Sequence, residues 1–324
     1  MIFPARYLLI ALLLVAVISA QDRRPVSTYS IVAYDEETGE LGVAVQSHWF
    51  SVGALVPWAK SGVGAVATQS FVRVEYGPEG LELMSNGHSA KESLAFLVSQ
   101  DEGRDVRQVA MVDVNGSIAI HTGKNCIAEA GHYQGKNFAV QANIMENPTV
   151  WGAMAKAFET SSGDLADRMM AALEAAQIEG GDLRGRQSAA LLVVKGTAGE
   201  NPWDDKLFDL RIEDHPNPLN ELKRLIRINR AYIHANNGDV YLEEGMTKEA
   251  LDEYSKAAHY YPENPELPFW TAVTLAGSGK LDTALPIFAD VFVKDPKLRI
   301  LVKRLIPAGI LPDDKDLIDK ILEQ

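Results

Sequence analysis

Three small hydroxyl side chains, Ser27, Thr28 and Ser30, stand at the head of a strand that continues Ile-Val-Ala, and chemistry in this chain is expected to begin there. A hydroxyl becomes a nucleophile only beside a proton acceptor. His48 follows Ser47 at the end of the next strand, where pairing brings it near Thr28, either as a base or as a structural hydrogen-bond partner. The loop from Gly180 to Ser188 supplies charge, with Asp182, Arg184 and Arg186 in a glycine-rich run directly before an apolar strand. The planar fork of Arg suits a carboxylate or phosphate on a substrate; alternatively, an Asp–Arg pair pins the loop. Asn143, His121 and His132 fall near strand ends or turns, from which they can line the same cleft.

Other signals are set aside on physical grounds. Gly62-Val63-Gly64-Ala65-Val66-Ala67 fits the dinucleotide pattern G-x-G-x-x-A but lies inside an apolar strand, not between a strand and a helix. The seven histidines form no H-E-x-x-H or other metal-ligand pair, so neither cofactor nor metal is expected. Cys126, the one cysteine, permits no intrachain disulfide and reads as an inert buried thiol.

The elements that must position these residues begin with a meander from Ser27 to Phe71. Ser30–Ala33 and Leu41–Gln46 are joined by a polar, glycine-bearing segment of hairpin type, and Gly62–Thr68 forms a further strand. Ser89 with Glu92 is a capping box opening a helix that ends near Asp101. Asn115-Gly116 joins two apolar runs, Arg107–Val114 and Ser117–Thr122, and Asn137–Met145 is another strand. Helices over Thr149–Thr160 and Asp164–Ile178 follow, then a strand over Ala189–Lys195 and an edge strand at Asp209–Ile212. Strands, helix, strands, two helices, strand is the order of stacked layers, not of a doubly wound parallel sheet.

A chain of 324 residues exceeds what one core holds, so two domains are expected. The net charge of −13 argues against nucleic-acid partners and anionic membranes. Residues 1–20 have the layout of a cleaved secretory signal peptide, Arg6 preceding an apolar run that ends in Ser19-Ala20, so the protein is expected to be secreted or periplasmic. Residues 21–26 then form an extension, and the first domain runs over 27–213. His215-Pro216-Asn217-Pro218 interrupts regular structure, and the helical domain occupies 214–324. Within it Gly245, Ala250, Leu251, Tyr254 and Pro262 recur 34 residues later as Gly279, Ala284, Leu285, Phe288 and Pro296, the tetratricopeptide period. Two repeats are too few to stand alone, so the helices on either side are expected to cap them.

From Thr28 to Lys195 the sequence resembles the bacterial family named domain of unknown function 1028. The resemblance is carried by SIVAYDEETGELGVAVQS, VGALVPWAKSGVGAVATQS, YGPEGLELM, Thr122-Gly123, Ala130-Gly131-His132 and GGDLRGRQSAALLV. It implies the α+β fold of N-terminal-nucleophile hydrolases, a four-layer α/β/β/α sandwich, and an amide-bond hydrolase acting on a small substrate. Thr28, or else Ser27, is then the nucleophile, and its own α-amino group is the base. One difficulty stands. Cleavage after Ala20 leaves Gln21 first, seven positions before Thr28, and without a second cut no amine is there. The alternative is a non-catalytic module whose cleft holds a ligand, with the helical repeats holding a protein or peptide partner. A homo-oligomer is compatible with either reading.

Overall fold

The computed structural model describes residue 26 and residues 28–324. The expected signal peptide and Ser27 lie outside the described residues. The chain divides into two compact units, the first ending at Leu222 and the second running from Lys223 to Gln324.

In the first unit, apolar runs of period two build two antiparallel sheets. The larger orders its strands β10-β9-β2-β1-β8-β7, comprising β1 (Thr28–Tyr34), β2 (Leu41–Ser47), β7 (Gly131–Gln134), β8 (Phe138–Asn143), β9 (Ser188–Val194) and β10 (Lys206–Ile212). The smaller orders β3 (Pro57–Lys60), β4 (Gly64–Ser70), β5 (Arg107–Asp113) and β6 (Ile118–Thr122) in sequence. Their facing sides share one core, with Val32, Val43, Val45 and Leu192 against Ala65, Ala67, Ala110 and Val112. Helices α1 (Tyr76–Ser85) and α2 (Ala90–Gln100) cover the outer side of the smaller sheet through Leu81, Met84, Leu94 and Leu97, packed on Val66, Val109 and Met111. Helices α3 (Val150–Thr160) and α4 (Leu165–Ile178) cover the larger one, and Gly42 of β2 gives room to Met169 and Leu165. The first unit is thus layered as helix pair, sheet, sheet and helix pair.

The Ser89 capping box forms as the spacing predicts, Ser89 Oγ accepting from the Glu92 amide and the Glu92 carboxylate from the Ser89 amide. The strand β7 and the helix α1 were not legible. Tyr-Gly-Pro-Glu-Gly carries two glycines and a proline, residues that disfavour a helix interior. In the fold Pro78 sits in the first helical turn, where its missing N–H costs nothing. Gly77 lets the helix press on Trp58, since a Cβ there would stand 2.3 Å from the indole. Gly77→Ala is therefore expected to destabilise the first unit by about 1–3 kcal/mol, read as a lower melting midpoint by calorimetry.

The second unit is helical: α5 (Pro218–Glu243, which begins in the first unit), α6 (Thr247–Tyr260), α7 (Glu266–Gly277), α8 (Leu281–Lys294), α9 (Leu298–Leu305) and α10 (Lys315–Leu322). The 34-residue spacing has a structural counterpart. Gly245 and Gly279 both take φ of +76° just past a helix, and the residue after each donates five positions back, Met246 to Tyr241 and Lys280 to Leu275. Ala250 and Ala284, and likewise Tyr254 and Phe288, are buried.

One carboxylate of this unit predicts an acid sensitivity. Glu253 is desolvated by its burial, yet hydrogen bonds from Lys256, His234 and Asn237 outweigh that and hold its carboxyl down at about 2, against an ordinary 4.5. A depressed carboxylate stabilises the fold fully above its unfolded pKa and loses that contribution as pH falls through the folded one. The gap in melting midpoint between the parent and Glu253→Gln is therefore expected at pH 6 and to close between about pH 4.5 and 2.

Candidate active site

Thr28 is the first residue of β1, and alternation along the strand sends Thr28 and Ser30 toward the facing sheet and Tyr29 toward α4. Thr28 pairs with Ser47 of β2 on one side and Asn143 of β8 on the other. Its hydroxyl donates to the Val26 carbonyl at 3.0 Å and lies 3.2 Å from Ser47 Oγ.

Thr28 is fully buried, not open at the rim of a cleft where a substrate could reach its hydroxyl. Val26, just ahead of it, accepts the hydroxyl's hydrogen bond at its carbonyl and is itself buried. Val26 exchanges two backbone hydrogen bonds with Ser70 at the end of β4, at 2.7 and 3.1 Å, so it crosses from one sheet to the other and closes their shared end. Buried as it is, Thr28 lies among polar atoms.

Those polar atoms form an amide layer between the sheets. Gln69 Nε2 donates to the Thr28 carbonyl at 3.1 Å and to Gln108 Oε1 at 2.7 Å. Asn143 Nδ2 donates to the same Gln108 oxygen at 3.0 Å. Ser30 Oγ donates to Gln69 Oε1 at 2.6 Å and accepts from Gln141 Nε2 at 3.2 Å. Gln108 Nε2 reaches Thr122 Oγ1 at 3.0 Å, and that hydroxyl lies 2.8 Å from Nδ1 of the exposed His132. Desolvation where its ring meets the protein, and then the neighbouring His121, hold the His132 imidazole below its ordinary pKa. The hydrogen bonds therefore run unbroken from the surface at His132 to the backbone of Thr28. Sequence reasoning missed Gln69, Gln108 and Gln141. Their one signal was a glutamine at an inward strand position, beside alanine and valine in β4 and β5 and beside Ala139 and Asn143 in β8.

Backbone strain gathers at the same end. Ser70, paired with Val26, takes φ of +69°, and Ile144, which follows Asn143, takes φ of +57°. A β-branched residue there costs about 1–2 kcal/mol and persists only where its surroundings over-determine it, a condition met most often at functional sites.

The other residues singled out from the sequence divide. Asp182, nearly inaccessible, accepts from the His48 amide at 3.0 Å and the Arg184 amide at 2.9 Å, and it is gripped by the Arg184 guanidinium at 3.1–3.2 Å. The pair ties the loop to the residue after β2 through the His48 amide. His48 Nδ1 is buried with no hydrogen-bond partner among the described residues, and the ring lies near Gly185; no hydrogen bond joins it to Thr28. Arg186 leaves the pair and lines a cavity at the end of α4. Cys126 donates to the Arg107 carbonyl, and burial pushes its thiol up, away from the thiolate a nucleophile needs. No group of metal-binding side chains occurs among the described residues.

The family model for DUF1028, a family of unknown function, matches residues 28–222. The chain belongs to this family. A DUF1028 protein of known structure, SPO2555 from Silicibacter pomeroyi, is 31% identical and superposes with a TM-score of 0.55, covering 62% of this chain and 88% of that one. The Anbu (ancestral beta-subunit) protein of Yersinia bercovieri matches at 10% identity and a TM-score of 0.31 over 60% of this chain and 92% of that one, a likeness too slight to bear on the fold. No curated protein matches the chain. The DUF1028 match starts at Thr28, the residue at which β1 begins.

Proposed function

We propose that the DUF1028 unit is an amide-bond hydrolase of the N-terminal-nucleophile type, latent in the intact chain and activated when the residues ahead of Thr28 are removed. The observation that carries this reading is the strand-head hydroxyl, buried among polar groups beside strained backbone and hydrogen-bonded to Val26 just ahead of it. With Thr28 first, its nitrogen becomes an amine of pKa about 7.7–8.0, fit to take the hydroxyl proton near neutral pH. Oγ1 then attacks the substrate carbonyl and forms an ester, and the amine returns the proton to the leaving nitrogen. Water activated by the same amine hydrolyses the ester and restores Thr28. Main-chain N–H groups at the sheet end and the Asn143 amide are the candidate donors to the developing oxyanion.

The proposal includes export through residues 1–20, and a second unit of tetratricopeptide type that holds a peptide or protein partner. The competing reading, a non-catalytic binding module, draws on one specific observation, the complete burial of Thr28 with its extension in place. N-terminal sequencing of the mature protein separates the two. A first residue of Thr28 supports the hydrolase, and a first residue of Gln21 together with no amidase activity supports the binder.

A further inference from the structure

We infer that the first unit carries a second binding site, for a small N-acylated amino acid with a free carboxylate, in the cavity lined by Arg186 at the C-terminal end of α4. It is separate from the Thr28 hydroxyl. Thr28 points between the sheets, whereas Tyr29, its neighbour in the strand, points out to α4, where its hydroxyl donates to Gln177 Oε1 at 3.2 Å behind the cavity wall.

The cavity measures about 310 Å³, the small end of the range for metabolite sites. Its chemistry falls into three parts. Arg186 is the cation of the lining and, among the described residues, has no hydrogen bond or ion pair, unlike Arg184, which Asp182 occupies. A guanidinium with its fork open takes a carboxylate in two parallel hydrogen bonds. Asn217 and Asn220 bring side-chain amides that match the N–H and C=O of an acylated amine. Leu219 and the exposed Ile178 provide an apolar wall for a side chain.

Calorimetric titration of the Thr28→Ala chain, which cannot turn substrate over, tests this with N-acetylleucine, its neutral carboxamide N-acetylleucinamide, and inorganic phosphate. N-acetylleucine is expected to bind saturably. The carboxamide and phosphate are each expected to bind at least about tenfold more weakly, and Arg186→Ala to weaken N-acetylleucine by at least about tenfold. Lys124→Ala, which removes an equal charge elsewhere, is expected to leave binding unchanged. Absence of saturable binding, equal binding of the carboxamide, tighter binding of phosphate, or an equal loss in Lys124→Ala overturns the inference. So does undiminished binding by an Arg186→Ala chain that melts like its parent. None of these outcomes bears on Thr28, whose role is read from hydrolysis by the chain that begins with it.

Discussion

A chain that begins at Thr28 is expected to hydrolyse amides that the intact chain leaves untouched. Two changes arrive with the cut. The amide nitrogen of Thr28, which has no basicity, becomes an amine, and Val26, which bridges to Ser70 and accepts from the Thr28 hydroxyl, is gone. The measurement is release of p-nitroaniline from a panel of N-acylamino-acid anilides, by protein cleaved from a fusion so that Thr28 is first. Thr28→Ala in that chain is expected to lower the rate by about 10³-fold or more, and Thr28→Ser to keep a substantial part of it. Equal activity in intact and trimmed chains would sink the proposed mechanism, because an acylated nitrogen cannot be the base. The expected pH profile rises through the α-amine pKa, about 7.7–8.0, since the amine must be neutral to accept the proton.

Gln108→Leu is expected to be among the most damaging single substitutions in the first unit, at about 3 kcal/mol or more. Its carbonyl accepts from both Gln69 and Asn143, and its amide donates to Thr122 Oγ1 at 3.0 Å and to the Ala142 carbonyl at 2.9 Å. A leucine keeps the bulk and orphans several of these groups in a fully buried layer, at about 1–3 kcal/mol per stranded group. Because a whole domain is stable by only about 5–15 kcal/mol, the loss is a large share of the total. Chemical denaturation checks it as a lower midpoint with little change in slope. Gln108→Leu in the trimmed chain is also expected to lower the catalytic rate, since Gln108 holds Gln69 and Asn143, the two amides that contact the Thr28 carbonyl.

Much of the scaffold was written locally. Alternation in Leu41–Ser47, the Asn115-Gly116 turn and the Ser89/Glu92 box each act through neighbours a few residues away, so β2, the β5–β6 hairpin and the start of α2 follow from sequence. The recurrence of Gly245 at Gly279 was legible for the same reason, since a helix stop needs only one residue in the left-handed region. Helix α1 was not, because what makes its glycines compatible with a helix is Trp58 and Met111 of the sheet beneath, not any flanking residue.

The candidate site shows the division most clearly. Sequence alone determined which groups were available: the strand-head hydroxyls, the charged glycine-rich loop and the lone thiol. Only the tertiary structure decided what each group meets. It set the Thr28 hydroxyl on the Val26 carbonyl, joined Gln69, Gln108 and Gln141 from three strands into one layer, and parted Arg184, tied to Asp182, from Arg186, two residues away beside a cavity. The reason is physical. A strand pattern fixes which face a side chain takes, but its partners come from other strands, as far as 111 residues away for Gln141 and Ser30, and their identity is settled only when the two sheets close on each other.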